Sequence, residues 1–267
     1  MKRPLILVTN DDGITAPGIR ALVEVSLSLG QVIVVAPDSP QSGMGHAITT
    51  ADPIRLHPSR AFDDLEVEAY ECSGTPVDCV KLAKNVILKD RQVDLCVSGI
   101  NHGSNASINI IYSGTLSAAM EASLEHIPSI GFSHLDYDYE ANFEPSKPYV
   151  SMLMQYVLDN GLEDGSLLNV NIPNLSEKEI RGLRVCRQAN ARWVEEFHEA
   201  VDPRGQKYYW LTGRFVNEDK GEDTDIHALE NGFISVVPSM HDLTNYKGLR
   251  TLKRLENWKT LANKSKA

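Results

Sequence analysis

The sequence predicts an α/β fold: a mostly parallel sheet flanked by helices, with a β-hairpin-rich C-terminal extension. Three observations predict it. Short apolar runs such as Leu5–Val8, QVIVVA at 31–36 and VDLCVS at 93–98 have the length and β-branched content of buried strands. Segments with apolar residues at helical spacing alternate with them, and strands separated by crossover helices pair in parallel. After about Leu175 the texture changes to strand and turn signals without intervening helices.

The elements follow in order. Leu5 to Val8 reads as the first strand. Pro17 is a favoured first helical residue, Ile19, Leu22, Val23 and Leu27 keep helical spacing, and Gly30 stops the run. Gln31 to Ala36 is the second strand. Ile54 to His57 and Val67 to Cys72 read as further strands, Val77 to Leu88 as a helix and Val93 to Ser98 as a strand. Leu116 to Leu124 is a helix of small residues able to pack closely on a sheet. Ser129 to Phe132 is a strand. Pro148 to Leu158 is a helix ended by Asn160-Gly161. Leu167 to Ile172 is a strand closed by Pro173. Beyond it, Leu183 to Arg187, Tyr208 to Thr212 and Phe233 to Val237 read as strands, and Asn245 to Asn263 as a C-terminal helix. Asp202-Pro203-Arg204-Gly205 is a turn signal. The expected division is a catalytic core over 1–175 and, over 176–267, a hairpin extension, a returning strand and the last helix.

Composition bounds the function. At 267 residues the chain can bury one large core, and 42% apolar with 23% charged residues is ordinary for a globular domain. A formal net charge of −10 argues against binding a nucleic-acid polymer, which needs basic surface. No apolar run reaches membrane-spanning length, and the N-terminus lacks a signal-peptide apolar region. Cys72, Cys79, Cys96 and Cys186 show no Cys-x-x-Cys spacing and lie in apolar segments, so they read as buried free thiols. A cytoplasmic location is the corresponding expectation.

The most informative stretch is Leu5 to Gly13, an apolar strand that runs into Asn10, Asp11, Asp12 and Gly13. Two like charges about 4 Å apart repel by roughly 4 kcal/mol at an effective dielectric near 20. A hard divalent cation such as Mg²⁺ or Mn²⁺ between them relieves that repulsion. Asp-Gly is also a hairpin signal, but helical spacing follows it, so the acids sit at a strand-to-helix turn, where open α/β sheets bind ligands. Three loops share that edge. Pro37 to His46 is a Gly/Ser/Pro loop. Ser98 to Asn105 contains Asn101, whose neutral amide oxygen suits a hard cation. Tyr112-Ser113-Gly114-Thr115 opens the small-residue helix and offers hydroxyls, free N–H groups and the positive dipole end to an anion. Any one of these could be ordinary turn and capping chemistry; together with the acidic pair they form a composite site. Two phosphate motifs are absent: Gly13-x-x-x-x-Gly18 is followed by Ile19-Arg20, so it is no P-loop, and Gly43-x-Gly45 lacks the third glycine of a dinucleotide fingerprint.

These residues carry a resemblance. LVTNDDGITAPGI, VVAPDSPQSGMGHAIT, SGTPVDCV, SGINHGSN, YSGTLSAAMEA and TDIHALENGFISVVP, in that order over residues 5 to about 238, resemble the survival protein E (SurE) family of metal-dependent 5′/3′-nucleotidases. The resemblance implies a Rossmann-like core and a hairpin extension exchanged between subunits. It implies one divalent ion per subunit (Mg²⁺, Mn²⁺ or Co²⁺) held by Asp11, Asp12, Ser42 and Asn101. Departures are small: Leu116-Ser117 and Val237 replace residues usual in the family without touching the chemistry.

The expected function is therefore phosphomonoester hydrolysis of nucleoside 5′-monophosphates, and of 3′-monophosphates, by a homodimer or homotetramer. Asp11, Asp12, His46 and Asn101 are the expected catalytic residues. Asn10, Gly43, His102, Ser113, Gly114 and Thr115 are expected around the phosphate, with Asn10 orienting the acidic turn. His46 and His102 are candidates for phosphate binding or leaving-group protonation. Thr115→Val is expected to weaken phosphate capture and to leave metal affinity almost unchanged. Trp193, Phe197, Tyr208, Tyr209 and Trp210 read as an exposed hairpin awaiting a partner subunit, or equally as rings that fold back on their own domain. The alternative is a non-catalytic Mg²⁺-binding module of receiver type, which also places an acidic pair after its first strand. It needs a phosphoacceptor Asp after a later strand, where this chain has Ser98-Gly99-Ile100-Asn101. A metal-dependent glycosyltransferase fits less well, since no Asp-x-Asp is present at the pair.

Overall fold

Leu5, Ile6, Leu7 and Val8 are all buried, which is why the run shows no polar alternation: strand β1 (Leu5–Thr9) is covered on both faces. The computed structural model describes residues 3–257. Successive side chains of a strand point to opposite faces, and they sort accordingly. Ile6 and Val8 join a core with Ile19, Leu22, Val150 and Met154, under helices α1 (Pro17–Leu29) and α4 (Lys147–Asn160). Leu5 and Leu7 join a second core with Val80, Ala118 and Ala122, under α2 (Pro76–Leu82) and α3 (Gly114–Leu124). Each such buried aliphatic side chain contributes roughly 1.5–3 kcal/mol relative to exposure.

The remaining elements are β2 (Gln31–Pro37), β3 (Leu56–Pro58), β4 (Glu68–Cys72), β5 (Leu95–His102), β6 (Ser129–His134), β7 (Ser166–Ile172), β8 (Leu183–Val185), β9 (Ala191–Val201), β10 (Lys207–Asn217), α5 (Asp225–Glu230), β11 (Ile234–Met240) and α6 (Tyr246–Leu252). Nine strands form one sheet in the order β3-β4-β2-β1-β5-β6-β7-β11-β8. Strands β4 through β7 pair in parallel across it; β3 and β11 run antiparallel to their neighbours β4 and β7. The chain moves outward from β1 to β2 and β4, then returns to lay β5 on the other side of β1. That reversal is a topological switch point, and the crevice beyond the carboxyl ends of β1 and β5 is where such sheets bind ligands.

The structure refines several expectations. Beyond residue 175, β8 and β11 complete the main sheet, so among the described strands only the β9–β10 hairpin stands apart from it. The sequence reading implies a hairpin here but sets no bounds for β9, because its Glu195, Glu196, His198 and Glu199 lie on an exposed ribbon with no core face to impose alternation. The turn between β9 and β10 is the one the sequence announces: Asp202 Oδ1 accepts from the backbone N–H of Arg204 and Gln206, both at 2.8 Å. The helix expected over 77–88 is α2 continued by a wider turn over Ala83–Ile87. The expected C-terminal helix is α6 followed by a tight turn over Lys253–Asn257; the rest of that expectation lies outside the described residues. Among the described residues no helix is long and apolar enough to cross a membrane. All four cysteines are free and buried.

Candidate active site

The acidic pair leaves β1 directly at the switch point. Asp11 is only 4% exposed and Asp12 is half-buried. Burial, and then the neighbouring Asp12 charge, push the Asp11 carboxyl up to about 6. Burial raises Asp12 as well, against the pull of the His102 backbone N–H, which donates to Asp12 Oδ2 at 3.3 Å. Two acids that the fold holds together against their own preference make a site suited to a cation. Asn10 braces the turn from beneath. It is buried, and its Nδ2 donates to the Gly13 carbonyl at 2.8 Å.

Strand β5 supplies the neutral oxygen. Its pairing with β6 shifts register between Ser98 and Asn101, a bulge that re-aims the end of the strand. Gly99 makes this possible: its φ is +124°, and a Cβ there would strike the Phe132 carbonyl. Asn101 Nδ2 donates to the carbonyls of His102 (3.0 Å) and Gly103 (2.9 Å). Both partners only accept, so the amide orientation is fixed and Oδ1 remains available as a ligand. By the same logic His102 Nδ1, 2.8 Å from the Asp138 carbonyl oxygen, carries the proton in the neutral ring. Nε2 then presents a lone pair, and it has no protein partner. The ring is held between Tyr139, stacked at 6.1 Å, and Phe143, edge-on at 5.1 Å.

The loop after β2 brings Ser42 and Gly43 to the same place, since the Gln41 N–H donates to the Asp11 carbonyl at 2.7 Å. A cleft of about 270 Å³ is lined by Asp11, Asp12, Ser42, Gly43, Asn101, His102 and Ser113. The structure thus gathers all four residues expected to hold the metal. Among the described residues no group of three His, Cys, Asp or Glu forms a metal cluster. Two carboxylates completed by hydroxyl and amide oxygens are a donor set for a hard cation, and they fit such an ion.

Three expected site residues take other roles. Thr115 is fully buried and its hydroxyl donates to Asp11 Oδ1, so that hydroxyl supports the acid and is not free to bind a phosphate. This reverses the expectation for Thr115→Val. Losing a hydrogen bond to a charged group costs about 1.5–3 kcal/mol, so Mn²⁺ affinity measured by titration calorimetry should fall roughly 10- to 150-fold. Wild-type affinity in that variant would remove Thr115 from the support of Asp11. Gly114 also contacts Asp11: a Cβ on it would lie 2.6 Å from Asp11 Cβ. His46 does not line the cleft. Its Nε2 lies 3.0 Å from Glu121 Oε2, and its ring opens on a separate cavity of about 620 Å³ with Met120, Arg187 and His241. Lys81 donates to the other Glu121 oxygen. Burial works against the charged Glu121, but His46 and Lys81 outweigh it and hold its carboxyl below the usual glutamate range. His46 therefore ties the loop that carries Ser42 to α3. Asn109, Tyr137 and Trp193 line the cleft without having been assigned to it from the sequence. Trp193 was legible only as an exposed aromatic.

The chain is similar to proteins of one known family. The family model described as Survival protein SurE matches residues 6–195. A protein of Christiangramia forsetii named 5′-nucleotidase SurE is 60% identical over 257 residues, covering 96% of this chain and 97% of its own length. A Flavobacterium psychrophilum protein of the same name is 58% identical over 258 residues, covering 97% of this chain and 98% of its own. The crystal structure of the SurE protein from Aquifex aeolicus is 41% identical, with a TM-score of 0.81 over 95% of this chain and 100% of that one. On these matches, and on the acidic pair at its switch point, the chain belongs to the SurE family.

Proposed function

We propose that the protein is a divalent-metal-dependent phosphomonoesterase that converts nucleoside 5′-monophosphates, and 3′-monophosphates, to nucleoside and phosphate. The observation that carries this reading is the buried Asp11–Asp12 pair, completed by the oxygens of Ser42 and Asn101 in one cleft. The names of the nucleotidase relatives support it. One Mg²⁺, Mn²⁺ or Co²⁺ per subunit would be held by Asp11, Asp12, Ser42 and Asn101, and when bound it supplies Lewis acidity toward phosphoryl oxygens and an acidified water as nucleophile. The chain's own groups do the rest. Thr115 holds Asp11 in place, and Gly114 leaves it room. Ser113 caps α3, accepting from the Leu116 N–H at 3.1 Å, and the positive end of that helix suits the phosphate. His102 lines the cleft, and its Nε2, buried without a protein partner, is the candidate to bind phosphate or, once protonated, to give a proton to the leaving oxygen. An aspartyl-phosphate route is not proposed, because both acids are committed to the ion. The receiver-type alternative gains no support, since the end of β5 offers Asn101 and no phosphoacceptor acid.

The test is release of inorganic phosphate from AMP with Mn²⁺ or Mg²⁺. Activity should vanish in EDTA and return with excess metal. No release with any divalent ion would overturn the reading.

Assembly and location complete the proposal. Phe197, Tyr209 and Trp210 on the hairpin are 67%, 57% and 63% exposed, more aromatic surface than a lone ribbon keeps in water. We place the protein in the cytoplasm, where its buried thiols stay reduced, as a homodimer or homotetramer joined through this arm. Light scattering at micromolar concentration should give at least twice the chain mass; a monomer would refute the assembly.

A further inference from the structure

We propose that an apolar cleft at the root of the β9–β10 hairpin is the nucleobase subsite, and that Trp193 and Tyr137 select nucleotides over simpler phosphate esters. This rests on the nucleotidase reading above. The cleft encloses about 300 Å³ and is lined by Leu135, Tyr137, Trp193, Phe215, Ile226 and Leu229. It shares Ser104, Asn109, Tyr137 and Trp193 with the acidic cleft, so the two are continuous. One molecule can therefore place a charged end against Asp11 and Asp12 and a flat apolar end among these rings and aliphatic groups. A nucleoside monophosphate has that shape and that division of polarity; inorganic phosphate and sugar phosphates lack the apolar end.

The rings are preorganised. Trp193 Nε1 donates to Asn109 Oδ1 at 2.8 Å, and the indole meets Phe215 edge-on with centroids 5.5 Å apart. Asn109 Nδ2 donates to the Ser104 carbonyl at 3.1 Å, which ties the indole to the loop that follows β5. The hairpin root is pinned to the same loop. The Ser107 hydroxyl donates to the Ala189 carbonyl at 2.8 Å. Buried Asp225 accepts from the Ser107 N–H at 2.7 Å and the Ala189 N–H at 3.0 Å. Tyr137 packs its ring over Gly103, where any Cβ would collide with it. Aromatic faces fixed before binding stack a base without further ordering cost.

The experiment compares kcat/KM for AMP and for ribose 5-phosphate, which lacks the base, at saturating Mn²⁺. Wild-type protein should prefer AMP by roughly 5- to 150-fold, the range of one stacking interaction. That preference should collapse in Trp193→Ala, mainly through KM, and survive in Trp193→Phe, which keeps an aromatic face. Tyr137→Ala should lower it as well; Tyr137 is 76% exposed, so this variant keeps the fold. Equal use of the two substrates by wild type, or an equal loss on both in the alanine variants, would overturn the subsite and leave the nucleotidase reading standing. Failure to hydrolyse either substrate would overturn the nucleotidase reading, and the subsite with it.

Discussion

Metal-free Asp12→Asn is expected to melt at or above metal-free wild type while losing its phosphatase activity. The substitution is nearly isosteric, and Asn Oδ1 can still accept the His102 N–H that Asp12 accepts at 3.3 Å. What changes is charge. Burial raises both Asp11 and Asp12, and Asp12 adds to the shift that takes Asp11 to about 6. Neutralising Asp12 removes that repulsion, so the metal-free fold loses nothing and can gain. The metal-bound state loses a direct ligand and one unit of negative charge. Activity should drop by more than the roughly 10- to 100-fold typical of residues that merely orient a ligand. Mn²⁺ at about 100 times its Kd adds about 2.7 kcal/mol to wild-type stability by linkage, or roughly 5–10 °C in Tm for a chain of this size. The variant should respond much less. Differential scanning calorimetry with and without Mn²⁺ decides the matter. A clearly destabilised metal-free variant, beside a wild type indifferent to Mn²⁺, would make the pair a structural turn.

Gly114→Ala carries the second large effect, and its sign is opposite to what the helix alone suggests. Alanine is favoured over glycine in helices by up to about 1 kcal/mol. Here the new methyl would lie 2.6 Å from Asp11 Cβ and 2.9 Å from Asp11 Oδ2. Asp11 has little room to yield, since it is buried and its carboxylate is held by Thr115. Either α3 or the acidic turn must shift. Overpacking of this kind costs about 1–3 kcal/mol. The displaced carboxylate should also lower Mn²⁺ affinity by at least about tenfold, by analogy with the loss of orienting residues. Chemical denaturation and metal titration on the purified variant measure the two effects. Wild-type stability with wild-type affinity would show that the close approach of α3 to Asp11 is not a constraint.

The central strands were legible because burial on both faces leaves an unbroken apolar run, as in Leu5–Val8 and Val32–Ala36. The end of β5 was not: Gly99 and Asn101 read as loop residues, and only pairing with β6 makes Leu95–His102 one bulged strand. The bounds of β9 were illegible for a related reason, since an exposed ribbon imposes no alternation on its side chains.

The sequence by itself determined the chemistry of the site. Adjacent carboxylates after an apolar strand, an amide after a later strand and a Ser-Gly-Thr turn at a helix start are local patterns, and local patterns survive translation into structure. Tertiary structure alone decided what each side chain faces. Thr115 turned its hydroxyl to Asp11, 104 residues away in sequence. His46 was drawn to Glu121, 75 residues on, because a carboxylate buried there needs hydrogen-bond partners. Trp193 came to the mouth of the cleft through Asn109, 84 residues earlier. Hydrogen bonds of such separation are fixed by how helices and loops pack at the edge of the sheet, and no periodicity along the chain records them.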